Sequence, residues 1–266
     1  MSGIELKHRG VLITRALAQS QALKQMVEAR GGRAFLFPAL EIQLTSPPKI
    51  KATLARVCAG DMLVFVSTNA VAGVFNNISS TLRGQLIDCR IAAVGARTCQ
   101  ALQAEGMEVE IQAPADQQNS EGLLAHPDLQ VLAGQQIWII RGQSGRELLR
   151  DALRQHGADV DYVQAYQTSA PAEYDAEPLL AALRSGQIQL VMLTSYGVFS
   201  NLLQMLGEQA VPLLQSTQLI VPGQRVAKKI LSDYDLSISV AENASDQAML
   251  ACAKKLGGKP GSEHTF

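Results

Sequence analysis

Gly10-Val-Leu-Ile-Thr-Arg15 and Gln136-Ile-Trp-Ile-Ile-Arg141 decide how this chain folds. Each is a short apolar run that ends on arginine. Each leads into apolar residues at helical spacing: Leu23, Met26 and Val27 after the first, Leu148, Leu149, Ala152 and Leu153 after the second. Gly31-Gly32 closes the first of these stretches and Gly157 the second, as expected where a left-handed residue ends a helix. Both segments read as strand, turn, amphipathic helix and glycine stop.

The correspondence continues along the chain. Met62-Leu-Val-Phe-Val66 followed by Ser67-Thr-Asn-Ala-Val71 matches Leu190-Val-Met-Leu193 followed by Thr194-Ser-Tyr-Gly-Val198. Ile91-Ala-Ala-Val-Gly95-Ala-Arg-Thr98 matches Leu219-Ile-Val-Pro-Gly223-Gln-Arg-Val226, and Asn119-Ser-Glu-Gly-Leu123 matches Ala244-Ser-Asp-Gln-Ala248. The offsets from Gly32 to Gly157, Thr68 to Ser195, Gly95 to Gly223 and Ser120 to Ser245 stay between 125 and 128 residues. Landmarks kept in one order at a nearly constant offset mean two copies of one α/β unit. Two domain-sized copies do not make a solenoid.

Within each copy, strands alternate with helices. The strands are mostly continuous apolar runs, as when helices cover both faces of a parallel sheet. Right-handed crossovers then generate an open, doubly wound, flavodoxin-like sheet. Two segments break the pattern. Phe37-Pro-Ala-Leu40-Glu-Ile42-Gln-Leu44 alternates apolar and polar residues, and Asp161-Tyr-Val-Gln-Ala-Tyr166-Gln-Thr168 holds the equivalent place in the second copy. Pro47-Pro48 and Pro171 punctuate their exits, which makes both segments candidate crossings between domains.

Composition sets the class. The chain has 266 residues, 47% hydrophobic and 18% charged, a length that suits two domains. A net charge of −1 argues against a general nucleic-acid binder, which needs a basic face. No apolar run is long enough to span a membrane, and Met1–Arg9 carries no long apolar segment, so a cytoplasmic protein without a signal peptide is expected. Cys58, Cys89, Cys99 and Cys252 form no Cys-x-x-Cys pair, and His8, His126, His156 and His264 stand isolated. Reduced thiols, with neither a disulfide framework nor a metal site, are the expectation.

No phosphate loop, dinucleotide fingerprint, nucleophile elbow or zinc-protease motif is present. Instead the strand-to-helix turns are rich in hydroxyl groups and glycine: Thr14-Arg15, Ser67-Thr68-Asn69, Gly95-Ala96-Arg97-Thr98, Asn119-Ser120, Thr194-Ser195 and Ser245-Asp246. Serine, threonine and asparagine are ordinary N-caps, so a single such turn needs no ligand. Repeated at every strand end of two opposed domains, they suggest a cleft lined by helix N-termini, suited to a ligand with many carboxylates or phosphates. Arg15 and Arg141 sit at equivalent strand ends, Arg146 follows at the next helix start, and Arg97 pairs with Arg225 through the repeat. Arginine there is suited to bidentate carboxylate binding.

Leu12-Ile-Thr-Arg15, Gly31-Gly32 with Pro38, Phe65-Val-Ser-Thr-Asn-Ala-Val71, Ala93-Val-Gly95-Ala-Arg-Thr98, Arg141-Gly142, Ala165-Tyr166-Gln-Thr168 and Leu193-Thr-Ser195 follow in an order and spacing that resembles the uroporphyrinogen-III synthase family. The resemblance covers about residues 10–255. It implies two α/β domains joined by a two-stranded linker. One would be discontinuous, residues 1–38 with 168–266 including a disordered tail at 257–266, the other would be 43–162, and the linkers would be 39–42 and 163–167. Each copy would then exchange its first strand–helix unit across the linker.

The resemblance further implies cofactor-free closure of the linear tetrapyrrole hydroxymethylbilane to uroporphyrinogen III by a lyase, with loss of water and inversion of ring D. Nothing in the sequence implies an oligomer, and a monomer is the default expectation. Tyr166 becomes the candidate proton donor to the departing hydroxyl, since a phenol with a pKa near ~10 stays protonated at neutral pH. Substrate carboxylates are expected at Thr14, Arg15, Ser67, Thr68, Asn69, Gly95, Arg97, Thr98, Arg141, Gly142, Arg146, Thr194, Ser195 and Gly223. Pro222-Gly-Gln-Arg-Val226 lacks a threonine frequent at that turn of the family, and Tyr196 stands where a Pro-Ser pair is common. The rival reading is a non-catalytic two-domain ligand-binding module of periplasmic-receptor type. A single tryptophan and 5% aromatic residues suit sugar stacking poorly. A receiver-type signalling domain would need acidic strand ends, which are absent here.

Overall fold

The computed structural model describes residues 6–143 and 147–257. The chain divides into two compact units, Met1–Glu41 with Ser169–Phe266, and Ile42–Thr168. Arg146 and the expected tail, apart from Gly257, lie outside the described residues.

Unit 1 opens with β1 (Gly10–Ile13), α1 (Leu17–Glu28) and β2 (Arg33–Leu36). The chain then builds β3 (Glu41–Leu44), α2 (Pro47–Leu54), β4 (Met62–Phe65), α3 (Thr68–Phe75), α4 (Ser80–Ile87), β5 (Arg90–Ala93), α5 (Ala96–Ala104), β6 (Ile111–Gln112) and α6 (Ser120–Leu124). The second copy begins with β7 (Gln136–Gly142), α7 (Leu148–Gln155) and β8 (Asp159–Ser169). It returns to unit 1 with α8 (Glu177–Arg184), β9 (Leu190–Met192), α9 (Tyr196–Leu206), α10 (Ala210–Gln215), β10 (Gln218–Pro222), α11 (Gln224–Leu231), β11 (Ile238–Ala241) and α12 (Asp246–Gly257).

Among the described residues unit 1 has the strand order β2-β1-β9-β10-β11, and unit 2 has β8-β7-β4-β5-β6 with β3 added beside β8. Apart from β3, both sheets have the doubly wound order 2-1-3-4-5. Ladders β1/β2, β1/β9, β9/β10 and β10/β11 are parallel, as are β7/β8, β4/β7, β4/β5 and β5/β6. Strands 1 and 2 of each sheet therefore come from one sequence copy and strands 3, 4 and 5 from the other.

The continuous apolar runs follow from burial on both faces. In unit 1, Leu12, Val191, Leu219 and Val221 pack into one core while Val11, Ile13, Met192 and Ile220 pack into the other. Unit 2 repeats this, with Leu63, Phe65, Trp138 and Ile140 on one side and Met62, Val64, Ile137 and Ile139 on the opposite side. The segment expected as one strand of the linker, 163–167, lies in the interior of the eleven-residue strand β8 and falls within Ile42–Thr168. Val163 and Ala165 there are fully buried in the unit 2 core.

Candidate active site

In a 2-1-3-4-5 sheet the connections from strands 1 and 3 diverge, and a crevice opens at the carboxyl ends of those strands. In unit 2 these are β7 and β4, which places Arg141-Gly142 beside Ser67-Thr68-Asn69. In unit 1 they are β1 and β9, which places Thr14-Arg15 beside Thr194-Ser195.

Ser67 is the N-cap of α3, and its Oγ accepts from the backbone N–H of Ala70 at 3.2 Å. The same hydroxyl donates to the Tyr166 phenol oxygen at 3.2 Å. A β-bulge aims Tyr166 there. The β7/β8 register pairs Arg141 with Gln164 and then Gly142 with Tyr166, so Ala165 is the extra residue. Strict alternation would put Tyr162, Gln164 and Tyr166 on one face. The bulge turns Tyr166 to the other face, with Val163 and Ala165, while Tyr162 stays against the opposite core.

Two glycines make room for this. A Cβ on Gly142 would lie 2.8 Å from the Tyr166 ring, and a Cβ on Gly73 would lie 2.3 Å from the Ala165 carbonyl oxygen. The first glycine admits the ring and the second lets α3 rest on the bulge.

The other face of the β7 end carries a charged cluster. Arg141 Nη1 donates to Glu147 Oε1 at 3.1 Å, and its guanidinium lies 4.6 Å from the Tyr162 ring centre. Arg150 Nη1 meets Glu147 Oε2 at 2.9 Å, and the Tyr162 hydroxyl donates to that same oxygen. The Tyr162 hydrogen bond, assisted by Arg141 and Arg150, holds the Glu147 carboxyl below its usual pKa. Burial, with the bond to Glu147, pushes the Tyr162 phenol up.

Unit 1 uses its equivalent residues inwardly. The Thr14 hydroxyl is fully buried and donates to the Met192 carbonyl at 2.7 Å, which ties β1 to β9 instead of facing a ligand. Arg15, also buried, donates among other contacts to Asp246 at the start of α12. Ser195 is exposed and caps α9 by accepting from the Val198 N–H at 3.2 Å, with Thr194 half-buried before it. Gly223 has φ of 83°, a conformation suited to glycine, and caps α11 in open space. In unit 2, Gly95 caps α5 in an extended conformation, and the Ala96 N–H beside it is already taken by Gln118 Oε1 at 3.0 Å. Arg97 is exposed on that turn, whereas Thr98 is buried within the helix and presents nothing to a ligand.

The structure thus unites Tyr166 with Ser67 and Gly142, keeps Thr68 and Asn69 half-buried on the same turn, and turns Thr14 and Thr98 inward. Sequence reasoning missed Glu147, Arg150, Tyr162 and the role of Asp246. Asp246 carried a signal, because the repeat aligns it with Glu121, an acid at the same helix start. Glu147 carried none, since the repeat gives no reason to pair it with Arg141.

The fold and these strand ends define a duplicated flavodoxin-like α/β protein that presents a phenol, helix N-termini and arginines at its switch points. The family model described as Uroporphyrinogen-III synthase HemD matches residues 21–251. The chain is similar to the uroporphyrinogen-III synthase of Salmonella typhimurium, 31% identical over 242 residues that cover 90% of this chain and 98% of the relative. It is 29% identical to that of Escherichia coli over the same shares of both chains. Its fold is similar to a crystal structure of a mutant uroporphyrinogen III synthase from Thermus thermophilus, with a TM-score of 0.62 at 19% identity over 93% of this chain and 98% of that one. The chain belongs to the uroporphyrinogen-III synthase family. It is a lyase of tetrapyrrole biosynthesis, and the receptor-type binding module is not favoured. Among the described residues no helix is long and apolar enough to cross a membrane.

Proposed function

We propose that this chain closes hydroxymethylbilane to uroporphyrinogen III and that Tyr166 is the proton donor to the departing hydroxyl. One observation carries the role: the Tyr166 phenol lies on the Ser67 cap at the switch point of unit 2. The Ala70 N–H donates to Ser67 and Ser67 donates to Tyr166, so each bond polarises the next. Because the Tyr166 oxygen accepts that bond, its own proton is not used in it and can be donated to the substrate. The electron-rich pyrrole expels the hydroxyl as water when that proton arrives. The azafulvenium that remains bonds the substituted α-carbon of ring D, and the bond from that carbon to its original bridging methylene breaks. The released methylene cation bonds the free α-carbon of ring D, and that carbon loses its proton as the inverted ring closes.

Selectivity for the inverted isomer is a matter of orientation. Closure without inversion is the competing path, and binding that favours the bent transition state suppresses it. Each unit by itself offers helix N-termini that suit a substrate carboxylate: α3 and α5 of unit 2 through Ser67, Thr68, Asn69, Gly95 and Arg97, and α9 and α11 of unit 1 through Thr194, Ser195 and Gly223. The same reading takes the enzyme as a cytoplasmic monomer that engages neither nucleic acid nor membrane.

The test is Tyr166→Phe, which removes a hydroxyl and keeps the ring. Single-turnover formation of uroporphyrinogen III should fall by ~10²-fold, at the low end for a lost general acid, because water can replace a donor in an open site. The residual enzymatic product should remain type III after spontaneous type I is subtracted. An unchanged rate removes Tyr166 from the chemistry, and a change to enzyme-made type I reassigns it to ring inversion.

A further inference from the structure

Glu147, Arg141, Arg150 and Tyr162 play no part in the proton transfer just described, yet they form the densest charged cluster at the β7 end. Two guanidinium groups and one phenol converge on a single carboxylate. That donor set is one a carboxylate ligand would require, and in this structure it already holds a carboxylate. The donors and their occupant differ in exposure. The Arg141 side chain is 9% exposed, held under the Tyr162 ring, whereas the Glu147 side chain is 43% exposed, just before the first turn of α7. Arg141 is enclosed, Arg150 is 29% exposed, and the occupant is the most open of the three.

We infer that Arg141, Arg150 and Tyr162 form a binding site for one substrate carboxylate, and that Glu147 fills it internally until that carboxylate displaces it. This rests on the reading of the chain as a hydroxymethylbilane cyclase. The exchange conserves charge: Arg150 keeps Asp151 as a second partner at 2.9 Å, and one anion replaces another at Arg141. The lowered pKa of Glu147 means that no proton need move, since the carboxylate leaves as it was held, ionised. Position supports the role. Gly142 follows Arg141 directly, and Tyr166 lies against Gly142, so the cluster and the proton donor flank the same strand end from its two faces. Glu147 acts as a built-in competitor that raises the concentration at which substrate binds.

Glu147→Gln tests this in the full chain. Initial-rate KM for hydroxymethylbilane, and the dissociation constant of the octacarboxylate uroporphyrin III read by fluorescence quenching, should both fall about two- to fivefold, the scale of a lost exposed ion pair. The kcat should stay near that of the unchanged chain, and the salt dependence of binding should steepen. Glu147→Ala should act in the same direction, and Arg150→Gln should raise both constants. Circular dichroism on each variant separates a binding effect from loss of α7. If Glu147→Gln and Glu147→Ala leave KM unchanged or raise it while the unchanged chain makes uroporphyrinogen III, the cluster is structural and the inference falls alone. If the unchanged chain makes no type III product, the underlying reading falls and takes the inference with it.

Discussion

Arg15 and Arg141 stand at equivalent ends of the first strands of two copies of one unit, and both are matched by an internal carboxylate. The Arg15–Asp246 pair has side-chain exposures of 10% and 9%, whereas in the Arg141–Glu147 pair the acid is 43% exposed. In unit 1 the acid comes from the helix after strand 5, so the pair joins the first strand to the last helix of the sheet. In unit 2 it comes from the turn just after the arginine. The repeated arginine is therefore buried in both copies, locked to a buried acid in one and matched by an acid open to water in the other. Duplication supplied the position, and the partner decides the use.

The largest effect should come from breaking the buried pair. Asp246→Ala leaves Arg15 charged and buried beside a lost partner, and should cost about 3–5 kcal/mol. Urea unfolding monitored by circular dichroism gives the value. Glu147→Ala, measured alongside, should leave the midpoint close to that of the unchanged chain, and equal losses would erase the distinction between the two pairs.

A second contrast lies one residue further on, where unit 1 has Ala16 and unit 2 has Gly142. Gly142→Ala should cost about 1–3 kcal/mol through overpacking against Tyr166, with a loss of turnover because the ring that carries the phenol is what must shift. Ala16→Gly should leave turnover intact. Comparable activity in the two variants would show that Tyr166 does not depend on the space above Gly142.

The smallest effect separates the two serine caps. Ser67→Ala and Ser195→Ala each remove an N-cap worth about 1 kcal/mol, so thermal unfolding should shift by similar amounts. Only Ser67→Ala should also lower kcat for uroporphyrinogen III formation, because only Ser67 bonds the phenol, whereas Ser195→Ala should act on KM. An equal loss of kcat in both would place a catalytic contact at Ser195 as well.

The doubled fold was legible because burial on both faces writes strands as continuous apolar runs, and a constant offset needs no knowledge of contacts. Ser67 and Ser195 were legible for a local reason: a cap lies within a few residues of the N–H it accepts from. The orientation of Tyr166 was not. Period-two alternation places it with Tyr162, and only the bulge at Ala165, set by pairing with a distant strand, moves it to the other face. Thr14 and Thr98 share the residue type of the exposed turns, but their burial depends on neighbours from other segments. Residue type alone could not tell them from Ser67 and Ser195.

Exchange of the first strand–helix–strand segment between copies sets an order of events during synthesis. The β1–α1–β2 segment leaves the ribosome before the rest of the two units, and the neighbour of β1 at Leu190–Met192 is made about 150 residues later. At ~5–20 residues per second this is a delay of roughly 8–30 s. During it Val11, Leu12 and Ile13, fully buried in the finished protein, have only their own helix and β2 for cover. Unit 2 is contiguous and can fold in that interval, so of the two units the one begun earlier is completed later.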